Sequence, residues 1–262
     1  LGDGSLQQFV TTIKAADEPL INKARATAVE LNLPYLNRNN FSLKELLTEA
    51  NSALVFEKYS LALHSINGIH RFHLNLAGLR IQNIERGFGD NMVSAMGLGP
   101  SCCRVLDCTL GMASDAIVAA YSVGTTGCVH GCEQSALLHY ITKAGLVNFL
   151  SGKPQLDDAL RRITTTHGDY RNYLEKSNEN DFDVIYFDPM FTRPQHKSSA
   201  FTPIRGIVCD LPLAPETLKI ALSKTANRVV VKLSQYSTCQ IRFDDIIGGK
   251  HAAIRYGVIY RR

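Results

Sequence analysis

The stretch Arg104-Val-Leu-Asp-Cys-Thr-Leu-Gly-Met-Ala-Ser-Asp115 decides how this chain is read. A short apolar run, Val105-Leu106, ends on Asp107. A turn containing Gly111 follows, and Ser114 opens a helix that the pattern carries to Ala120. The same texture recurs downstream. The pattern predicts a strand over 127–130 ending near Glu133, a helix over 135–146, a strand over 163–166 ending at Gly168-Asp169, and a strand over 183–187 ending at Asp188. That last run is almost continuously apolar, as a strand buried on both faces should be. A helix over 215–223 and a strand over 228–231 come next, and 241–260 holds two more strands separated by Gly248-Gly249. Repeated strand–helix units predict a largely parallel α/β sheet with helices on both faces. Such sheets bind ligands beyond the carboxyl ends of their strands, so the residues just after each strand carry the functional reading.

Upstream the texture is α+β. Asp17 caps a helix reaching to about Leu31, with Pro19 in its first turn, and Ser42 with Glu45 forms a capping box for a helix to about Ala50. Residues 60–65 alternate, as do Phe72, Leu74 and Leu76. Asn67-Gly68 lies between them, which predicts a β-hairpin. The stretch from Gly78 to Gly89 reads as irregular, and a short helix follows from Asp90 to Met96. Gly97, Gly99 and Pro100 mark a boundary, giving an N-terminal α+β region over 1–99 and a second domain over 100–262.

Composition narrows the class. The 262 residues are 45% hydrophobic, enough for a substantial core without disulfides or metal. The net charge of +4 permits contact with an anionic polymer without requiring it. No apolar run is long enough to span a bilayer, and the start shows no secretory signal pattern. Seven cysteines, an odd number with no framework spacing, suit reduced thiols, so a cytoplasmic location is expected. Cys128-x-His130-x-Cys132 lacks the paired spacing of a zinc site and reads as strand residues filling a core, so no metal is expected.

Four successive predicted strands end on carboxylates: Asp107, Glu133, Asp169 and Asp188. A nucleoside ligand gives each a task. Gly111 lets the backbone approach the ligand, Glu133 accepts hydrogen bonds from ribose hydroxyls, and Asp169 meets the adenine edge. A nicotinamide dinucleotide uses a similar acid, so an oxidoreductase stays open on these features alone. Asp188-Pro189-Met190-Phe191 separates the readings. An exocyclic base amine is a poor nucleophile because its lone pair is delocalised into the ring. Asp188 and a carbonyl of the Pro189-Met190 turn supply acceptors for its two hydrogens, Pro189 stiffens the turn, and Phe191 stacks the base. Arg193, His196, Lys197 and Arg205 follow, a basic segment suited to RNA phosphates, which Arg71, Arg80 and Arg86 extend.

Three blocks now carry a resemblance: Val105 to Ala116, Asp183 to Phe191, and Arg228-Val-Val-Val-Lys232, with Gly87 to Gly97 as a glycine-rich approach. Over roughly Phe72 to Tyr236 the chain resembles class I methyltransferases, specifically the ribosomal small-subunit RNA guanine-N2 methyltransferase J family. The resemblance implies a Rossmann-like fold with a seven-stranded sheet, S-adenosylmethionine (SAM) as cofactor and ribosomal RNA as partner. It also implies transfer of a methyl group to the N2 amine of a guanine. Carried over by position, it implies donor contacts at Asp107, Gly111, Ser114, Asp115, Glu133, Gln134, Asp169, Tyr170 and Asp188. It implies a base site at Asp188, Pro189, Met190 and Phe191, with Arg193, Lys197 and Lys232 toward the substrate. The chain departs from the family pattern at Ala113, where a second glycine is usual, and at Ser114, where a basic residue is common. The oligomeric state is open, a homodimer included. Other acceptors (another base, DNA or a protein amide) and a non-catalytic nucleotide-binding module remain competing readings.

Overall fold

The computed structural model describes residues 7–38, 41–99, 103–189, 213–234 and 241–262. Backbone contacts divide them into two compact units, one formed by the described residues of 1–73 with 135–145, the other by those of 74–134, 146–196 and 210–262.

The first unit is a four-stranded sheet, β1 (Gln8–Thr12), β2 (Ser52–Phe56), β3 (Leu61–Ser65) and β4 (Gly68–His70), in that spatial order, with β1 parallel to β2 and the rest antiparallel. Helix α1 (Glu18–Glu30) begins at the Asp17 cap, and α2 (Leu43–Glu49) begins at the full capping box of Ser42 and Glu45. Both starts follow the sequence pattern, because each cap satisfies backbone N–H groups that a helix start leaves open. Phe9, Ala50, Ala53 and Val55 form a core with Leu36, Leu43, Leu46 and Leu47. The hairpin is present, but its second strand is Gly68–His70, where Ser65 faces Gly68. The expected strand over 72–76 is replaced by the approach to helix α3 (Asn75–Glu85). Ala77 and Ile81 are its buried positions, spaced by four as a helix face requires, while Leu76 and Leu79 are exposed. Strands β1 and β2 had no counterpart in the sequence reading.

The second unit carries the expected α/β sheet. Its strands are β5 (Arg104–Asp107), β6 (Cys128–Glu133), β7 (Ile163–His167), β8 (Phe182–Phe187), β9 (Thr225–Ser234), β10 (Asp245–Ile247) and β11 (Ile254–Tyr260). Their order is β10-β11-β9-β8-β5-β6-β7. β5, β6, β7, β8 and β9 pair in parallel, and β11 runs antiparallel to β9 and β10. The chain steps from β5 out to β7 and returns to β8 beside β5, so the order reverses between β5 and β8. Helices α4 (Asn91–Met96), α5 (Ser114–Ser122), α6 (Ala136–Asn148), α7 (Pro154–Arg161), α8 (Tyr170–Lys176) and α9 (Pro215–Lys224) complete the described elements. α6 begins among residues of the first unit and ends among those of the second. α7 and α8 were not anticipated. Leu156, Ala159 and Leu160 give α7 its buried face, and Asp169 caps α8. Leu106, Cys132, Ile185, Phe187, Val229 and Val231 belong to one core cluster of this sheet. Among the described residues no helix is long and apolar enough to cross a membrane.

One buried group makes the first unit acid-sensitive. His70 is 6% exposed, and its Nε2 has no partner among the described residues. Burial lowers its pKa to about 4. A histidine folded in neutral form contributes stability above about pH 6.5 that is lost as pH falls through 4. His70→Leu therefore flattens the acid limb between these values by up to about 1.4 kcal/mol per pH unit. Urea unfolding of both proteins at several pH values measures it, and parallel curves would exclude the effect.

Candidate active site

β5 ends in Asp107, whose side chain is almost fully buried. Its Oδ1 accepts the Thr109 N–H at 2.9 Å, and Thr109 Oγ1 accepts the Asp188 N–H at 2.7 Å. The first turn of the sheet is thus tied to the end of β8 across the switch point. Next to it, Gly111 and Ala113 both adopt left-handed backbone, with φ of 53° and 61°. A Cβ on Gly111 would meet nothing closer than the Thr109 carbonyl at 3.8 Å, so this turn has open space beside it. The Gly111 N–H donates to Glu133 Oε2 at 2.9 Å, joining the turn to the end of β6.

A chain of alternating charge runs behind this turn. Arg80, on α3, donates to both oxygens of Asp90 and, at 2.5 Å, to Oδ1 of Asp115. Asp115, in the first turn of α5, receives the Tyr186 hydroxyl at 2.7 Å and the Lys232 ammonium at 2.9 Å, both on Oδ2. Lys232 also donates to Oδ2 of Asp188 at 2.7 Å. Burial opposes the charge on Asp115, but Lys232, Arg80 and the Tyr186 hydroxyl hold its carboxyl well below the usual carboxylate range. Burial likewise works against Lys232, yet Asp115 and Asp188 offset it and hold the ammonium protonated beyond the ordinary lysine range. Burial raises the Asp188 carboxyl, and Lys232 opposes that rise. Asp107 has no cation of its own. Burial, with Asp115 and Asp188 nearby, pushes it up to about 8 against the pull of the Thr109 N–H.

The predicted residues therefore fall into three groups. Asp107, Asp115, Asp188 and Lys232 share the charged network, with Ser114 beside Asp115 at the start of α5. Gly111 and Glu133 pair, with Gln134 exposed just beyond. Asp169 and Tyr170 stand at the end of β7. Both oxygens of Asp169 are engaged by Arg171, and Tyr170 meets Phe187 edge-on at 5.5 Å. Pro189 is the last described residue of its segment, while Met190, Phe191, Arg193, His196, Lys197 and Arg205 lie outside the described residues. Arg80, read as extending an RNA-facing surface, pairs with Asp90 and Asp115, and Lys232, placed toward the substrate, pairs with Asp115 and Asp188. Arg71 is paired with Glu57. Sequence reasoning missed Thr109 and the Tyr186 hydroxyl; for Tyr186 the available signal was a tyrosine inside an apolar strand, since a buried phenol seeks a partner. His130 of the C-x-H-x-C stretch has both ring nitrogens against hydroxyls, Thr164 at 2.8 Å and Thr166 at 3.0 Å, and stacks on Tyr173.

The donor set suits a nucleoside carrying a positive charge. Carboxylates sit at the ends of β5, β6 and β8, and an open glycine turn lies between the first two. Among the described residues, three carboxylates of the charged chain, Asp90, Asp115 and Asp188, face two cations, Arg80 and Lys232, an excess of negative charge.

Comparison with known proteins agrees with this geometry. The family model described as "Putative SAM-dependent methyltransferase" matches residues 37–250. The chain is 34% identical over 254 residues to the Bacillus subtilis protein YpiP, described as uncharacterized, covering 96% of this chain and 98% of that one. It is 30% identical over 222 residues to "Ribosomal RNA small subunit methyltransferase J" of Nitrosococcus oceani, covering 81% and 83% of the two chains. The crystal structure of a SAM-dependent methyltransferase from Neisseria gonorrhoeae superposes with a TM-score of 0.67 over 97% of this chain and 96% of that one, at 16% identity, which establishes a shared fold.

The raised carboxyl of Asp107 has a measurable consequence. A carboxyl whose pKa is raised on folding contributes stability below about pH 4 that is lost as pH rises through about 8. Asp107→Asn keeps an oxygen for the Thr109 N–H and removes the titration. Its stability relative to the parent should rise between these pH values, at most by about 1.4 kcal/mol per unit. Denaturant unfolding at pH 5, 7 and 9 reads the difference; a constant offset would show that Asp107 is ionised throughout.

Proposed function

Because this chain belongs to the SAM-dependent methyltransferase family, we propose that it methylates an exocyclic base amine, the N2 amine of a guanine in small-subunit ribosomal RNA. The observation that carries the reading is the state of Asp188. Its N–H is fixed by Thr109 and its Oδ2 by Lys232, while its Oδ1 has no donor among the described residues. One carboxylate oxygen is thus left to accept a hydrogen from a ligand amine. The Pro189-Met190 turn offers a backbone carbonyl for the second hydrogen, and Phe191 offers a ring for stacking the base.

SAM supplies an electrophilic methyl group on a sulfonium. Glu133 with Gln134, Asp169 with Tyr170, the Gly111 turn, Ser114, Asp115, Asp107 and Asp188 are the residues proposed to hold it. The chain's own contribution is positional. The acceptors at Asp188 orient the amine lone pair, and the negative excess of the network favours the positive charge that develops on the amine during attack. The basic residues Arg193 and Lys197 bind RNA phosphates in this reading. Residues 100–262 together with 74–99, which supply Arg80 and Asp90, are the catalytic domain in this reading, the residues before 74 are an accessory region, and the substrate places the work in the cytoplasm. The relatives named for ribosomal RNA methylation support this choice of polymer.

The test uses small ribosomal subunits from cells lacking the gene, methyl-labelled SAM, and nucleoside analysis of the digested RNA. The expected product is N2-methylguanosine. Asp188→Asn, which turns one acceptor into a donor, should lower transfer on the order of 100-fold. Label on another base or in ribosomal protein would overturn the guanine assignment.

Phe191→Ala should lower kcat/KM by the value of one base stack, about 1–3 kcal/mol, while S-adenosylhomocysteine binding by calorimetry stays unchanged. Unaltered RNA methylation would remove Phe191 from the base site.

A further inference from the structure

Lys232 has no task in amine methylation as described above, yet it occupies the centre of the site. It is carried by β9, one strand over from the strand that ends at Asp188. Its side chain is only 19% exposed, and its ammonium meets two carboxylates, Asp115 Oδ2 at 2.9 Å and Asp188 Oδ2 at 2.7 Å. Isolating a lysine between two acids is costly unless the geometry is good, and the cost is recovered only where both acids need it. Asp115 already has Arg80 on Oδ1 and the Tyr186 hydroxyl on Oδ2. Asp188 has no other side-chain donor among the described residues. The dependence is therefore one-sided. Asp115, anchored from α3, α5 and β8, holds the ammonium, and the ammonium holds Asp188.

We propose that Lys232 is the positioning residue of the active site, clamping Oδ2 of Asp188 so that this side chain stays an anion with Oδ1 alone available as acceptor for the target amine. The kinetic part of the proposal rests on the role given above to Asp188; the electrostatic part does not. Without Lys232, Asp188 faces Asp115 of α5 as a like charge and the raised carboxyl of Asp107 of β5, with Tyr186 of β8 and Tyr256 of β11 close by and Arg80 of α3 as the remaining cation among the described residues. It then takes up a proton more readily. A protonated Asp188 can rotate and donate, and ceases to be a dedicated acceptor. Lys232 thus prevents a buried acid from becoming neutral in the working pH range, and it spares the substrate from competing for both oxygens.

The decisive experiment follows the Asp188 carboxyl itself, in the full chain without RNA, by 13C-aspartate NMR across pH. The Asp188 resonance is the one missing in Asp188→Asn. In Lys232→Met its midpoint should move up by about one pH unit or more, and Lys232→Arg, which retains the charge, should keep it near the parent value. Lys232→Gln, which removes the charge but keeps an N–H donor, should also move it up and gives a second reading should Lys232→Met fail to fold. An unmoved midpoint in either folded variant would overturn the proposal. In methyl transfer to small ribosomal subunits, Lys232→Met should lower kcat on the order of 100-fold at pH 7 with recovery at higher pH. It should add nothing to the loss in the Asp188→Asn background. Equal losses in both backgrounds, with a parallel pH profile, would mark Lys232 as merely structural. A parent protein inactive on ribosomal RNA would sink the proposed substrate, while the NMR midpoints would still decide the role of Lys232.

Discussion

The arrangement turns on the carboxylate of Asp115. It sits in the first turn of α5, where the helix dipole favours negative charge, and receives donors from α3, β8 and β9 through Arg80, Tyr186 and Lys232. Removing one partner of such a buried set costs about 3–5 kcal/mol, because the remaining charges stay buried and uncompensated. The turn after β5, the end of β8 and the end of β9 are thus held in one register by a single acid. Thr109 and Glu133 add links on either side, from the same turn to Asp188 and to β6. The place where the strand order reverses is accordingly tied from several elements at once, and Asp188 stands there.

The sign of that network also limits the chemistry it can serve. With Asp107 largely protonated near neutral pH, the chain from Asp90 to Asp188 still carries one more negative than positive charge. A nucleophile that must be deprotonated first, such as a phenolate or thiolate, would meet this excess as a like charge. A neutral amine meets no such barrier and gains as it becomes positive during attack. Among the described residues the electrostatics therefore suit a group that becomes more positive as it reacts, which is what the proposal of an amine acceptor requires.

The strands from Arg104 onward and helices α5, α6 and α9 were legible, though α7 and α8 were not, because most strands combine an apolar run with an acid or glycine at the end, and turn chemistry is local. What failed was local too. Phe72, Leu74 and Leu76 alternate like a strand, but the buried spacing of Ala77 and Ile81 belongs to a helix that starts at Asn75. β1 and β2 pair in parallel at a separation of more than forty residues (Gln8 with Ser52), which no short-range pattern announces. The acids at the strand ends could be placed from sequence, but their partners could not. Arg80 and Asp115 lie 35 residues apart, and Lys232 and Asp115 lie 117 apart. A lysine at a strand end looks like solvated surface until the two carboxylates that enclose it are seen.

Ala113 shows how a departure from a family pattern can leave the backbone of a turn intact. The family usually has glycine here, which suggests that the backbone needs a left-handed conformation, and the alanine adopts it with φ of 61°. For a residue with a Cβ this costs about 1–2 kcal/mol. The methyl group is completely buried, which returns about 0.8 kcal/mol, and alanine loses less backbone entropy on folding than glycine would, by about 0.4–1 kcal/mol. These amounts nearly cancel. The turn itself is complete: the Ala113 N–H donates to the Leu110 carbonyl at 2.7 Å, and its own carbonyl starts the α5 ladder by accepting the Ile117 N–H at 2.8 Å. The space a donor needs lies beside Gly111, where glycine is retained and a Cβ would meet only the Thr109 carbonyl at 3.8 Å. The position with open space beside it is a glycine, and the position that shapes the turn carries an alanine at little cost, so the alanine does not conflict with the donor site proposed at Gly111.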